Sequence, residues 1–126
     1  MDKIVHFEIP VEDMERAKEF YQTCFKWEIG KMPDTDYNFV KTTETDDKQR
    51  PKEVGAINGG FVKRDENQPV PTLVINVEDI HLSVDRVRSA GGDVFTGVFN
   101  VGAMGLYALF KDTEGNILGL WQDISH

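Results

Sequence analysis

The chain has 126 residues, enough for one domain, with 40% hydrophobic and 29% charged residues and a formal net charge of −8. The acidic balance argues against nucleic acid or an anionic membrane as partner, because phosphate binding needs a basic patch. The sole cysteine, Cys24, excludes an internal disulfide framework and fits a reducing, cytoplasmic setting. No apolar run approaches the length of a transmembrane helix, and Met1-Asp2-Lys3 leads straight into a strand pattern, so neither a membrane span nor a signal peptide is expected.

Ile4 to Ile9 reads as a short strand with His6 and Glu8 two residues apart on one face. Pro10 cannot donate to a central ladder and marks its end. Asp13 is the expected N-cap of a helix, with Glu12 and Glu15 near its positive end. Met14, Ala17, Phe20, Tyr21 and Cys24 recur at helical spacing and predict a buried stripe, which makes Cys24 a core thiol. Trp27 to Lys31 and Tyr37 to Thr42 read as strands. Thr43 to Glu53 is charged, contains Pro51 and reads as a solvated, mobile loop. Val54 to Val62 reads as a strand interrupted by Gly55, Gly59 and Gly60, and such glycines mark a bulge or a close approach to the backbone. Lys63 to Pro71 is a polar connection.

A second unit then repeats the first. Val77-Glu78-Asp79-Ile80 echoes Val11-Glu12-Asp13-Met14 at an offset of 66 residues (77 − 11). Thr72 to Val77 reads as a strand before it. Ile80, Val84, Val87 and Ala90 form a helical stripe after it, ending at Gly91-Gly92, a pair suited to a left-handed C-cap. The matching context favours internal duplication, with half-repeats of about 1–65 and 70–126 inside one domain spanning 1–126. Asp93 to Thr96 reads as a strand and Asn100 to Gly105 as a loop. Leu106 to Phe110 and Asn116 to Gln122 read as strands joined by a turn at 111–115. The expected fold class is α+β, with the order βαβββ twice and a mixed sheet carrying its helices on one face.

That order, together with His6-Phe7-Glu8-Ile9-Pro10, Phe20-Tyr21, Phe25-Lys26-Trp27, Ala90-Gly91-Gly92 and Asp112-Thr113-Glu114-Gly115-Asn116, resembles the vicinal oxygen chelate superfamily over essentially the whole chain. The superfamily includes glyoxalase I, extradiol dioxygenases and bleomycin-resistance proteins. Leu118-Gly119-Leu120-Trp121-Gln122 resembles its large glyoxalase-like branch. The resemblance implies two βαβββ modules whose curved mixed sheet wraps a cavity, helices outside, and a homodimer.

The resemblance also implies four metal-ligand positions on four strands. They fall on His6, on or near Asn58, on Thr72 and on Gly119. Only His6 matches a strong ligand, and catalytic metal sites need about three protein ligands. No metal or other cofactor is therefore expected. His6 and Glu8, about 6.6 Å apart along a strand, could instead work as an acid–base pair on a small organic molecule. The plain alternative is a satisfied core histidine beside a structurally paired glutamate. Asn58, Thr72, Asn76, Tyr107 and Trp121 are candidate ligand contacts. Strand parity puts Trp121 and Ile117 on the side of Gly119, and Trp121 there is a stacking wall or simply core. The facing of Tyr37 and Tyr107 is not fixed by the sequence. His81 is expected to be exposed and His126, the last residue, to be disordered. Two function classes stay open: a small-molecule-binding protein, and an isomerase- or lyase-type enzyme working through His6 and Glu8 or through a degenerate metal site.

Overall fold

The structure is a computed structural model and describes residues 1–124; His126 lies outside the described residues. The element order is β1 (Lys3–Val11), α1 (Met14–Phe25), β2 (Glu28–Lys31), β3 (Asn38–Lys41), β4 (Asn58–Lys63), β5 (Thr72–Asn76), α2 (Ile80–Ser89), β6 (Phe99–Val101), β7 (Gly105–Lys111) and β8 (Ile117–Asp123). It is an α+β fold built of two βαβββ modules. Two compact units divide it: His6–Pro71, and the chain from Thr72 onward with Met1–Val5. Strand β1 is thus shared between them.

In the first unit the strand order is β2-β3-β4-β1. Strands β1 and β4 are parallel, with His6 opposite Asn58 and Glu8 opposite Gly60. The other two pairings are antiparallel, and Phe39 stands opposite Gly60. Pro10 does not end β1, which continues to Val11. Proline sits there at the penultimate residue, where a missing donor costs little. Asp13 caps α1 by accepting from the Arg16 N–H at 3.0 Å. The helix rests on the sheet through Met14, Ala17 and Tyr21, which pack with Phe7, Ile9 and Trp27 around Val11, Ile29, Val40 and Phe61.

The predicted stripe is wider than the buried one. Cys24 is exposed, and Phe20 is 55% exposed. Both lie three residues along from the contact line Ala17–Tyr21, on the flank of a helix that meets a single small sheet. Trp27 takes the space beside Tyr21, with their rings stacked at 5.1 Å. Strand β4 starts only at Asn58, because Gly55 has φ 88° and Val54 points into solvent. The charged 43–53 loop is internally tied: Asp46 accepts from the N–H groups of Lys48 and Arg50, both at 2.9 Å, and Thr45 bridges Pro51.

In the second unit the order is β5-β8-β7-β6. Strands β5 and β8 are parallel, with Val74 opposite Gly119, and Leu109 of β7 stands opposite Gly119 from the other side. Asp79 caps α2 by accepting from Leu82 N–H at 3.1 Å. Its end is a Schellman motif: Gly92 N–H reaches Val87 O at 2.9 Å, Gly91 N–H reaches Arg88 O at 3.2 Å, and Gly91 has φ 100°. Asp93 to Thr96 is not a strand; Asp93 makes one isolated bridge to Lys111, and Thr96 Oγ1 accepts from Leu109 N–H at 2.8 Å. The sixth strand lies instead at Phe99–Val101, partly within the stretch expected to be a loop, because Phe99 pairs with Tyr107.

Candidate functional site

Along β1, Phe7 and Ile9 turn toward α1. By strand parity His6 and Glu8 point to the opposite face of the first unit's sheet. Asn58 and Gly60, their partners on β4, share that face. Tyr37 reaches onto it from the turn before β3. The turn is closed by Met32 N–H to Tyr37 O at 2.9 Å and by the Thr35 hydroxyl, which accepts from Tyr37 N–H at 3.2 Å. The Tyr37 ring lies over Gly60, so that a Cβ on Gly60 would run into its hydroxyl. Gly59, turned the other way, is crowded by Phe7. The paired glycines of β4 thus admit one aromatic ring on each face.

Tyr37 Oη and His6 Nε2 are 2.8 Å apart and hydrogen-bonded. Their rings are nearly parallel, at 20°. Burial lowers the His6 pKa from 6.5 to about 4, so the imidazole is neutral near pH 7. Burial first, and then the negative charge of Glu8, push the Tyr37 phenol well above its ordinary value of 10.0. Glu8 is only 7% exposed and accepts from Gln68 Nε2 at 2.9 Å. A neutral imidazole, a protonated phenol and a buried carboxyl therefore lie together on one sheet face.

Asn58 has a structural duty there. Its Oδ1 accepts from Thr42 N–H at 2.8 Å and Thr43 N–H at 3.2 Å, pinning the chain that leaves β3. Its Nδ2 is buried without a hydrogen-bond partner. Tyr37 and Gln68 are the contacts that strand reasoning did not assign. The signal for Tyr37 was Gly60, a strand glycine that needed something lying on it.

Thr72, Asn76, Tyr107 and Trp121 belong to the second unit. Thr72 is buried. Asn76 stands opposite Trp121, and its Oδ1 is buried without a partner. Tyr107 and Trp121 pack with Val74, Leu109 and Ile117 on the face away from α2. Trp121 Nε1 donates to Asp123 at 2.7 Å. The repeat of 66 residues sets Thr72 against His6 and Val74 against Glu8, so the corresponding face of the second unit is mostly apolar.

The four positions that the resemblance assigns to metal ligands do not suit a transition metal. His6 Nε2 is engaged by Tyr37, and the Asn58 oxygen is engaged by backbone. Gly119 has no donor, and a Cβ there would stand 2.7 Å from Tyr107 Oη. Since Glu8 pairs with Gly60 as Val74 pairs with Gly119, the first-unit equivalent of Gly119 is Gly60 rather than Asn58, again a glycine under a tyrosine. Among the described residues no three His, Cys, Asp or Glu side chains gather as a metal site would need.

A family model, the bleomycin resistance protein-like N-terminal, matches residues 3–43. A glyoxylase-like domain-containing protein of Didymella fabae is 30% identical, across 90% of this chain and 88% of that protein. The chain belongs to the glyoxalase-like family. It is also 26% identical to CFP32 of Mycobacterium tuberculosis, which carries a provisional glyoxylase name; that match takes in 94% of this chain but 45% of CFP32, so the chain spans about half the length of that relative. Solved structures agree on the vicinal oxygen chelate fold. Methylmalonyl-CoA epimerase of M. tuberculosis superposes with a TM-score of 0.67 at 18% identity, over 97% of this chain and 88% of that one. A superfamily member from Vibrio splendidus gives 0.64 at 13%, over 98% and 100%. The Streptomyces coelicolor epimerase in complex with 2-nitronate-propionyl-CoA gives 0.69 at 14%, over 98% of both chains. No helix among the described residues is long and apolar enough to cross a membrane.

Proposed function

We propose that this glyoxalase-like chain binds a small organic molecule on the face of its first module that carries His6, Glu8 and Tyr37, without a tightly held metal. One observation carries the reading. That face carries a buried carboxyl beside a neutral imidazole and a phenol joined by a 2.8 Å bond, whereas the corresponding face of the second module is mostly apolar. Asn58, Thr72, Asn76, Tyr107 and Trp121 stay in the proposal as further ligand contacts, with Asn76 favoured by its unpartnered buried oxygen. The assembly is a homodimer of a cytoplasmic protein that takes neither nucleic acid nor membrane, in keeping with the charge of −8. The test is titration of chelator-treated protein with two probes, the neutral carbonyl compound dihydroxyacetone and methylmalonyl-CoA, which is named with a neighbouring epimerase structure. Binding should perturb the amide signals of His6 and Gly60, and silence at both residues with every probe sinks the reading.

A second reading, an isomerase- or lyase-type enzyme, is favoured by Glu8. An imidazole lowered to about 4 is a weak base near pH 7, so the acid–base work divides differently from a simple His6–Glu8 pair. Glu8 is the base in this version, and the His6-bound Tyr37 hydroxyl is the hydrogen donor to a substrate oxygen. Deuterium exchange into a bound probe, lost in Glu8→Gln, separates turnover from simple binding.

A further inference from the structure

The two modules share one device that their side chains do not otherwise predict. Tyr37 lies two residues before Phe39, which stands opposite Gly60; Tyr107 lies two residues before Leu109, which stands opposite Gly119. Each tyrosine hydroxyl rests over its glycine: Gly119, where the family resemblance expects a metal-binding side chain, and Gly60, its register equivalent two residues past Asn58. The surroundings differ. Tyr107 packs with Val74 and Leu109, whereas Tyr37 is hydrogen-bonded to His6 and feels the charge of Glu8.

We propose that in the first module a phenol has taken over the oxygen-binding duty that the family gives to a metal: His6 donates its Nε2–H to Tyr37 Oη, and Tyr37 presents its own hydrogen to the carbonyl oxygen of a neutral ligand. This rests on the reading of that face as the ligand site. A tyrosine hydroxyl has one hydrogen and two lone pairs. With Nε2–H as the donor, one lone pair of the phenol oxygen faces His6 at 2.8 Å and its single hydrogen is left for another acceptor. Two donors in series polarise one another and strengthen the second. The negative charge of Glu8 that raises Tyr37 also disfavours an anionic ligand and favours a neutral carbonyl compound. Gly60 is the specificity floor, because any larger residue there would lift the ring off the sheet.

The test uses the full chain, treated with chelator, at pH 7. Ring nitrogen-15 shifts of His6 should report the Nε2–H tautomer; the Nδ1–H tautomer makes Tyr37 the donor to His6 and overturns the proposal. Dihydroxyacetone, a small neutral carbonyl probe, should shift the His6 and Gly60 signals saturably. Its dissociation constant should rise about three- to tenfold in Tyr37→Phe, the scale of one hydrogen bond. Equal affinity in wild type and Tyr37→Phe overturns the phenol's role and leaves the binding face standing. No shift in wild type removes the binding face itself, and the proposal with it.

Discussion

Tyr37 lies on Gly60, and the one position requires the other: a Cβ on Gly60 would occupy the space of the tyrosine hydroxyl. The residue that aims Tyr37 at His6 is thus a glycine one strand away from it.

Gly60→Ala should therefore destabilise the protein by about 1–3 kcal/mol, as overpacking does. It should also release His6, visible as a rise in its pKa toward 6.5. In a Tyr37→Ala background the same substitution should cost much less. Urea midpoints of the four proteins give the coupling. Additive costs would mean that Tyr37 is not what Gly60 accommodates.

Acid should weaken the fold through His6 before it does so through the carboxylates. The folded pKa, about 4, lies below the unfolded 6.5, so the unfolded chain binds more protons between these values. This stabilisation is complete above about pH 6.5 and falls away as pH drops toward 4. Between pH 7 and pH 5 the loss should be about 2 kcal/mol. Asp46 and Asp112 are also shifted downward, chiefly by backbone hydrogen bonds from Arg50 and Asn116 respectively. Their contribution is present above the ordinary carboxylate value and is lost only on further acidification. Denaturant melts of wild type and His6→Gln at pH 7 and pH 5 should show the 5-to-7 slope in wild type alone. An equal slope in His6→Gln removes His6 as its source.

The order of elements was legible because the strong signals are local. Asp13 and Asp79 each precede an amphipathic stripe, and Gly91-Gly92 closes the second helix as its composition requires. What misled was long-range. The sixth strand exists because Phe99 finds Tyr107, and no local pattern announces that. Cys24 carries a core-like residue type at a core-like spacing, yet the helix flank it occupies has no second layer of protein over it in its own unit. Of the candidate site, the shared face of His6 and Glu8 could be read from strand parity. Tyr37 could not, since it stands outside β3 in a turn whose direction is set by Thr35 and Met32.

Glu8→Gln should keep the fold, because an amide fills the same volume and can still bond to Gln68. If Glu8 serves a ligand, probe binding or exchange should weaken at least about tenfold, the loss of one charge-assisted hydrogen bond of roughly 1.5–3 kcal/mol. Tyr37 should also become easier to ionise, since Glu8 is one of the two causes that raise it. A fall in melting temperature with unchanged binding would instead make Glu8 a structural partner.

Nickel, zinc, iron and manganese should each bind weaker than micromolar. The ligand positions read Asn58 or Gly60, Thr72 and Gly119 beside a His6 already bonded to Tyr37. Stoichiometric metal in purified protein, lost in His6→Ala, would reverse this.

Lys26 ends α1 in the left-handed region, with φ 60° and ψ 28°, and its N–H closes on Gln22 O at 3.0 Å. The resemblance places glycine between Phe25 and Trp27, and the backbone found there is the one that glycine adopts freely. A residue with a Cβ holds it at a cost of roughly 1 kcal/mol. Lys26→Gly relieves that strain, while the added freedom of the unfolded chain opposes the gain by up to about 1 kcal/mol. The relief should be slightly larger, so the substitution is expected to be neutral or stabilising by some tenths of a kcal/mol. An ordinary helical or extended backbone would make the same change destabilising by roughly 0.5–1 kcal/mol. A urea melt decides: a clear drop in midpoint at unchanged slope would mean that the left-handed turn after Phe25 carries no strain for glycine to relieve.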